Sequence, residues 1–219
     1  VSYHQYTDAL TGYPGDAVEE GFQRAIGPLL ADLAAAPKRV WMSEGSPVAN
    51  SASGFYRHTI PWPDDENVAD VADRLVRFVT CLLGQGVEKV FLYSMGTHMT
   101  FGDSSHRILV TEEGALHPSG VAHAICAWHL EGTHFAQRLV LSGHVYGYLF
   151  EGVGRSVAVL FPDPRQQAQS AVPTGSGLVA RDLFGNPLNP GQSLGRHAAF
   201  VSSDVTSIEL AGMLEAEGR

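Results

Sequence analysis

Lysine is scarce in this chain. Lys38 and Lys89 are its only two, and arginine raises the cations to 14 against 23 carboxylates, a net charge of −9. Nucleic-acid binding needs a basic face to meet phosphates, so this balance argues against nucleic acid as the main partner. Long apolar runs are also missing. None reaches the ~18 consecutive residues that a membrane-spanning helix requires. Cysteine is nearly absent: Cys81 and Cys126 fit no metal-ligand spacing and lie in helix-like apolar stretches, which predicts buried free thiols rather than a disulfide. The ten histidines include no His-Glu-x-x-His, and His123, His129 and His134 do not stack on one helical face, so no metal site is expected. The chain opens at Val1 in a strand-like run with no signal sequence, which reads as an interior starting point and leaves the compartment open.

What the chain does have is glycine (24) and proline (12) among 44% hydrophobic residues, a composition suited to many turns and strands around a substantial core. The first half alternates strands and helices. Val1 to Tyr6 reads as a strand, and a helix follows from about Ala17 to Ala36, capped by Asp16 with Glu19 and stopped by Pro37. Arg39 to Ser43 reads as a second strand. Val68, Val71, Leu75, Phe78, Val79 and Leu82 mark a helix over Glu66 to Leu83, closed by Gly84-Gln85-Gly86. Val87 to Ser94 reads as an apolar strand buried on both faces, as in a parallel sheet. This is βαβ alternation. His117-Pro118-Ser119 then opens a helix from about Gly120 to Leu130.

The pattern changes near Gly132. Strand-like runs at 138–142, 145–151, 156–161, 178–183 and 197–202 are separated by turns such as Gly185-Asn186-Pro187, with no long helix between them. An antiparallel sandwich is expected. Thr206-Ser207-Ile208-Glu209 has the form of a capping box on a terminal helix.

The stretch with chemistry in it is Arg39-Val40-Trp41-Met42-Ser43-Glu44-Gly45-Ser46, where a strand delivers one carboxylate into a Gly/Ser turn. Strand ends that lead into loops are where α/β enzymes carry reactive groups. Such a residue also serves as a plain turn cap or an arginine's partner. Trp41 reads as a core aromatic of the strand.

The ordered set of motifs resembles the last third of a TIM-barrel glycoside hydrolase of clan A with its C-terminal β-sandwich. His4-Gln5-Tyr6 resembles the end of barrel strand six, Trp41-Met42-Ser43-Glu44-Gly45 the end of strand seven, and Val90-Phe91-Leu92-Tyr93-Ser94 strand eight. The resemblance implies a barrel portion over residues 1–132 and a sandwich over 133–219. It implies a retaining hydrolysis of glycosidic bonds in an oligo- or polysaccharide, with Glu44 as nucleophile and no cofactor. Tyr6 would hydrogen-bond that carboxylate and hold it ionised, while His4, Tyr93 and His98 would meet the sugar. Tyr93 is equally well read as core packing. A full barrel takes about 250 residues in eight units, and only three units are legible here. The clan's acid/base glutamate follows an asparagine, and this chain has no Asn-Glu pair. By this reading the chain needs an N-terminal barrel portion as partner, and alone it would aggregate or pair through its open sheet edges.

The sequence supports two other readings. Leu92-Tyr93-Ser94-Met95-Gly96 resembles the nucleophile elbow of an α/β serine hydrolase, with Asp163 and His197 following in order. Leu92 stands where that tight turn wants glycine. A non-catalytic carbohydrate-binding or structural fragment is the third reading.

Overall fold

The computed structural model describes residues 1–6, 27–34, 39–46, 68–92, 109–110, 114–141, 145–162, 171–173 and 175–217. These fall into two compact units, Val1–His123 and Ala124–Arg219.

In the first unit the strands β1 (Ser2–Tyr6), β2 (Val40–Ser46) and β3 (Val87–Leu92) form a parallel sheet in sequence order. The helices α1 (Gly27–Ala34) and α2 (Val68–Gly84) lie between them in sequence. Parallel neighbours need such crossovers, so the alternation read from the sequence becomes βαβαβ. Val40, Met42 and Val87 are buried on one face of the sheet, and Val71, Leu75, Phe78 and Leu82 bury the apolar stripe of α2. That helix is covered on more than the stripe, because Arg77 and Asp73 are buried too. The Arg77 Nε donates to Asp73 Oδ2 at 2.6 Å, the one-turn spacing at which opposite charges meet on a helix. Cys81 and Cys126 are free and buried, as expected.

The strand β3 differs from expectation. Only Val87 is fully buried, Glu88 and Lys89 face solvent, and Phe91 is 47% exposed. The apolar run is broken by this charged pair, and ions left without burial partners stay in water. Trp41, expected in the core, is 37% exposed. Its indole N–H donates to Glu88 Oε2 at 3.0 Å, Phe91 lies 6.2 Å from it between ring centroids, and the Lys89 ammonium sits 4.8 Å from its ring centre. Trp41, Lys89 and Phe91 therefore share the face opposite Val40 and Met42.

The helix α3 (Pro118–Leu130) leads into the second unit, where β4 (Thr133–Leu141), β5 (Val145–Gly152), β6 (Arg155–Pro162), β7 (Val179–Arg181) and β8 (Ala199–Ser203) pair antiparallel in the order β4-β5-β6-β8-β7. Among the described residues these strands form one sheet. One face carries Leu149, Ala158, Leu160, Ala199 and Val201, packed with Leu210, Ala211 and Leu214 of the terminal helix α4 (Ser207–Glu217). The other carries Tyr148, Phe150, Val159, Phe161 and Phe200, all buried, with the His129 ring of α3 stacked on Phe200 at 4.5 Å. Strand alternation sends successive residues to these two layers.

Turn chemistry follows the sequence. Asp182 Oδ1 accepts from the backbone N–H groups of Phe184 and Asn186, and Gly185 has φ +84°, a conformation that side chains disfavour. A Cβ at Gly185 would also come within 2.8 Å of Ile125 Cδ1, so only glycine fits beneath the helix. The capping box forms: Thr206 N–H and Oγ1 both donate to Glu209 Oε2, and the Glu209 N–H donates to Thr206 Oγ1. Those hydrogen bonds hold the Glu209 carboxyl below its ordinary range.

His129 is 2% exposed, and burial, reinforced by the nearby Arg181 and Arg155, lowers its pKa from 6.5 to about 4. The folded protein thus keeps it neutral where the unfolded chain takes up a proton. The stability it contributes is complete above the unfolded pKa and is lost as pH falls from there toward the folded one. Between pH 7 and 5 this loss is expected to be roughly 1–2 kcal/mol. Urea unfolding at both pH values checks it: His129→Phe should flatten the difference, and an equal difference in wild type and variant would count against it.

Candidate active site

A regular β2 would bury Glu44. Val40 and Met42 alternate onto the buried face, and Glu44 is next in phase. The structure shifts that phase. Tyr3 pairs with Met42, yet His4, the next residue, pairs with Glu44, so β2 carries one residue more than β1 at Ser43. The pairing with β3 shows the same irregularity, Met42 with Val90 and Gly45 with Leu92. This is a β-bulge, which re-aims side chains and recurs beside active sites. The Ser43 hydroxyl donates to Tyr3 O at 3.3 Å and ties the extra residue to β1.

The bulge sets Glu44 on the face of His4, away from Met42. Glu44 Oε1 lies 3.8 Å from His4 Nδ1, with side chains 33% and 57% exposed. Tyr3, on the Met42 side, is the contrasting neighbour: burial raises its phenol above the ordinary value, and its hydroxyl has no hydrogen-bond partner among the described residues.

The sequence-derived site is thus assembled in part. His4 and Glu44 come together near the C-terminal ends of adjacent parallel strands. Tyr6 pairs through its backbone with Ser46, two residues beyond Glu44; its side chain, and all of Tyr93 and His98, lie outside the described residues. Ser94 and Asp163 of the serine-hydrolase reading also lie outside them. Ser43 was missed by sequence reasoning. The signal that could have found it is the conflict in Val40-Trp41-Met42-Ser43-Glu44, where strict alternation drives a carboxylate into the core.

Two solved structures share this fold. A family 39 glycoside hydrolase from the gut symbiont Bacteroides cellulosilyticus WH2 superposes with a TM-score of 0.58 at 16% identity, over 92% of this chain and 44% of its own. A family 30 endoxylanase from Clostridium papyrosolvens C71 gives 0.51 at 13% identity, over 81% of this chain and 45% of its own. At these identities the likeness is one of fold. The chain spans less than half the length of either solved chain. No protein-family model and no curated protein matches it. The mixed α/β architecture is therefore one found within glycoside hydrolases, and the three parallel strands are consistent with part of a barrel.

Proposed function

We propose that this chain is the C-terminal portion of a retaining TIM-barrel glycoside hydrolase, with Glu44 as its nucleophile. The observation that carries the reading is the bulge at Ser43, which turns a carboxylate out of the core and sets it opposite His4.

The three parallel strands are the last three of the barrel, residues 1–132 are its C-terminal part, and the antiparallel sheet is one layer of an accessory sandwich over 133–219. The exposed Trp41, Lys89 and Phe91 support this, since in a closed barrel that face turns inward toward other strands. The strands β1 and β3, edges among the described residues, pair with further strands from an N-terminal portion. That portion supplies the acid/base.

In the reaction a Glu44 oxygen bonds to the anomeric carbon as the glycosidic C–O bond breaks, and the leaving oxygen takes its proton from the acid/base. Water then attacks the same carbon, expels Glu44 and returns a proton to the base, so configuration is retained. The roles that the resemblance implies belong to this proposal: a hydrogen bond from Tyr6 to the nucleophile, and sugar contacts for His4, Tyr93 and His98. The family 30 neighbour is an endoxylanase, which makes a β-linked xylan the first substrate class to test.

A 2-deoxy-2-fluoroxyloside with a good leaving group tests the assignment on the polypeptide that carries the complete barrel. The fluorine slows the second step, so the glycosyl-enzyme accumulates. One glycosyl unit should be added, and peptide mapping should find it on Glu44. A label on another carboxylate would overturn the proposal.

A further inference from the structure

Residues of the second unit alone enclose a cavity of about 140 Å³ beside the end of α3, between Trp128, Arg155 on β6, and Ser202, Ser203 and Asp204 at the end of β8. Nothing in the proposed reaction uses it. We propose that this cavity is a separate sugar-binding site that takes one ring of a neutral oligosaccharide, with Trp128 as the stacking platform. The choice of sugar rests on the glycosidase reading; the site itself does not.

Trp128 is 57% exposed although it is the largest kind of apolar side chain, and it is held in place. The Arg181 guanidinium lies 6.0 Å from its ring centre, and the His129 ring meets it edge-on at 4.7 Å and 73°. A rigid aromatic with one wet side offers binding area at little entropic cost. It suits the C–H face of a pyranose or furanose ring. The remaining wall suits the ring's edge. Arg155 only donates, Asp204 only accepts, and the two serine hydroxyls do either. Ser202 already donates weakly to Val179 O at 3.4 Å, which leaves its lone pairs for a ligand.

The charge pattern narrows the ligand class. An anion such as a phosphate would meet Asp204, and a cation would meet Arg155. His129 on the floor stays neutral at pH 7, because burial holds its pKa near 4. Its Nε2 is buried away from solvent, so His129 contributes an uncharged ring to the wall and no ligand hydrogen bond. Hydroxyls, which both donate and accept, fit every one of these groups. Pockets for drug-sized molecules run to ~300 Å³ or more, so this one holds a single ring and leaves the rest of a chain outside along Trp128.

The test is binding of xylohexaose and of cellohexaose, followed by tryptophan fluorescence and calorimetry, in the Glu44→Gln background so that nothing is hydrolysed. Binding of at least one sugar is expected, weakened about tenfold or more by Trp128→Ala and about threefold by Asp204→Asn. Asp204 is exposed, so its variant keeps the fold even if loss of Trp128 disturbs it. With Glu44 restored, kcat on a short chromogenic xyloside should be the same with and without Trp128→Ala. Equal binding in wild type and both variants would overturn the proposal, as would no binding of either sugar or an equal response to glycerol at matched concentration. Activity surviving Glu44→Gln would sink the nucleophile assignment while leaving this binding result standing.

Discussion

Glu44→Gln is expected to lower kcat by about 10⁴-fold or more in the complete barrel, with KM and thermal stability almost unchanged. The amide keeps the shape of the carboxylate but cannot attack the anomeric carbon or balance the charge that develops there. The side chain is about one-third exposed and sits outside the packed face, so its loss leaves no cavity. Fold and catalysis are therefore separable at this position. A second variant sharpens the result. Glu44→Ala opens space for a small external nucleophile, and azide should restore turnover of an activated glycoside while giving a product of inverted configuration. Near-normal kcat in Glu44→Gln would remove the nucleophile assignment altogether.

Much of the fold is legible in the sequence. The helical spacing of Val71, Leu75, Phe78 and Leu82 locates α2 to within two residues at each end, because burial of one stripe is what stabilises such a helix. The strands of the second unit follow from β-rich runs between turn residues, although β4 begins at Thr133, five residues before the run read from Arg138, and Thr206 with Glu209 marks the start of α4 through its capping hydrogen bonds. Legibility fails where a tertiary event overrides a local pattern. Periodicity marks only one face of α2, so the burial of Arg77 with Asp73 could not be read from it. Trp41 looked like core, yet its face of the sheet has no cover among the described residues. The bulge at Ser43 is a matter of pairing register, and register is set by neighbouring strands rather than by the residue that shifts. The site was legible as chemistry, one carboxylate at a strand end, but its exposure was not, because exposure depends on that register.

Phe200→Ala is expected to destabilise the second unit by about 3–5 kcal/mol. Phe200 is fully buried in β8, pairs with Val159 of β6 and Arg181 of β7, and stacks flat on His129. Its removal deletes ring contacts on the sheet and on α3 together, and β8 is hydrogen-bonded to a strand on each side, so it cannot collapse inward to fill the space. Domains are stable by only about 5–15 kcal/mol, so this variant risks unfolding outright. Phe200→Leu keeps most of the volume and should cost about 1–2 kcal/mol, which keeps the measurement possible by calorimetry or urea unfolding. The two losses should also differ with pH. With the ring gone, water reaches His129 and its pKa rises toward the ordinary value, so the alanine variant loses less stability between pH 7 and 5 than wild type does. A cost below about 1 kcal/mol for the alanine variant would mean that the aromatic layer is not a closed core. An unaltered pH dependence would mean that something other than this ring shields His129.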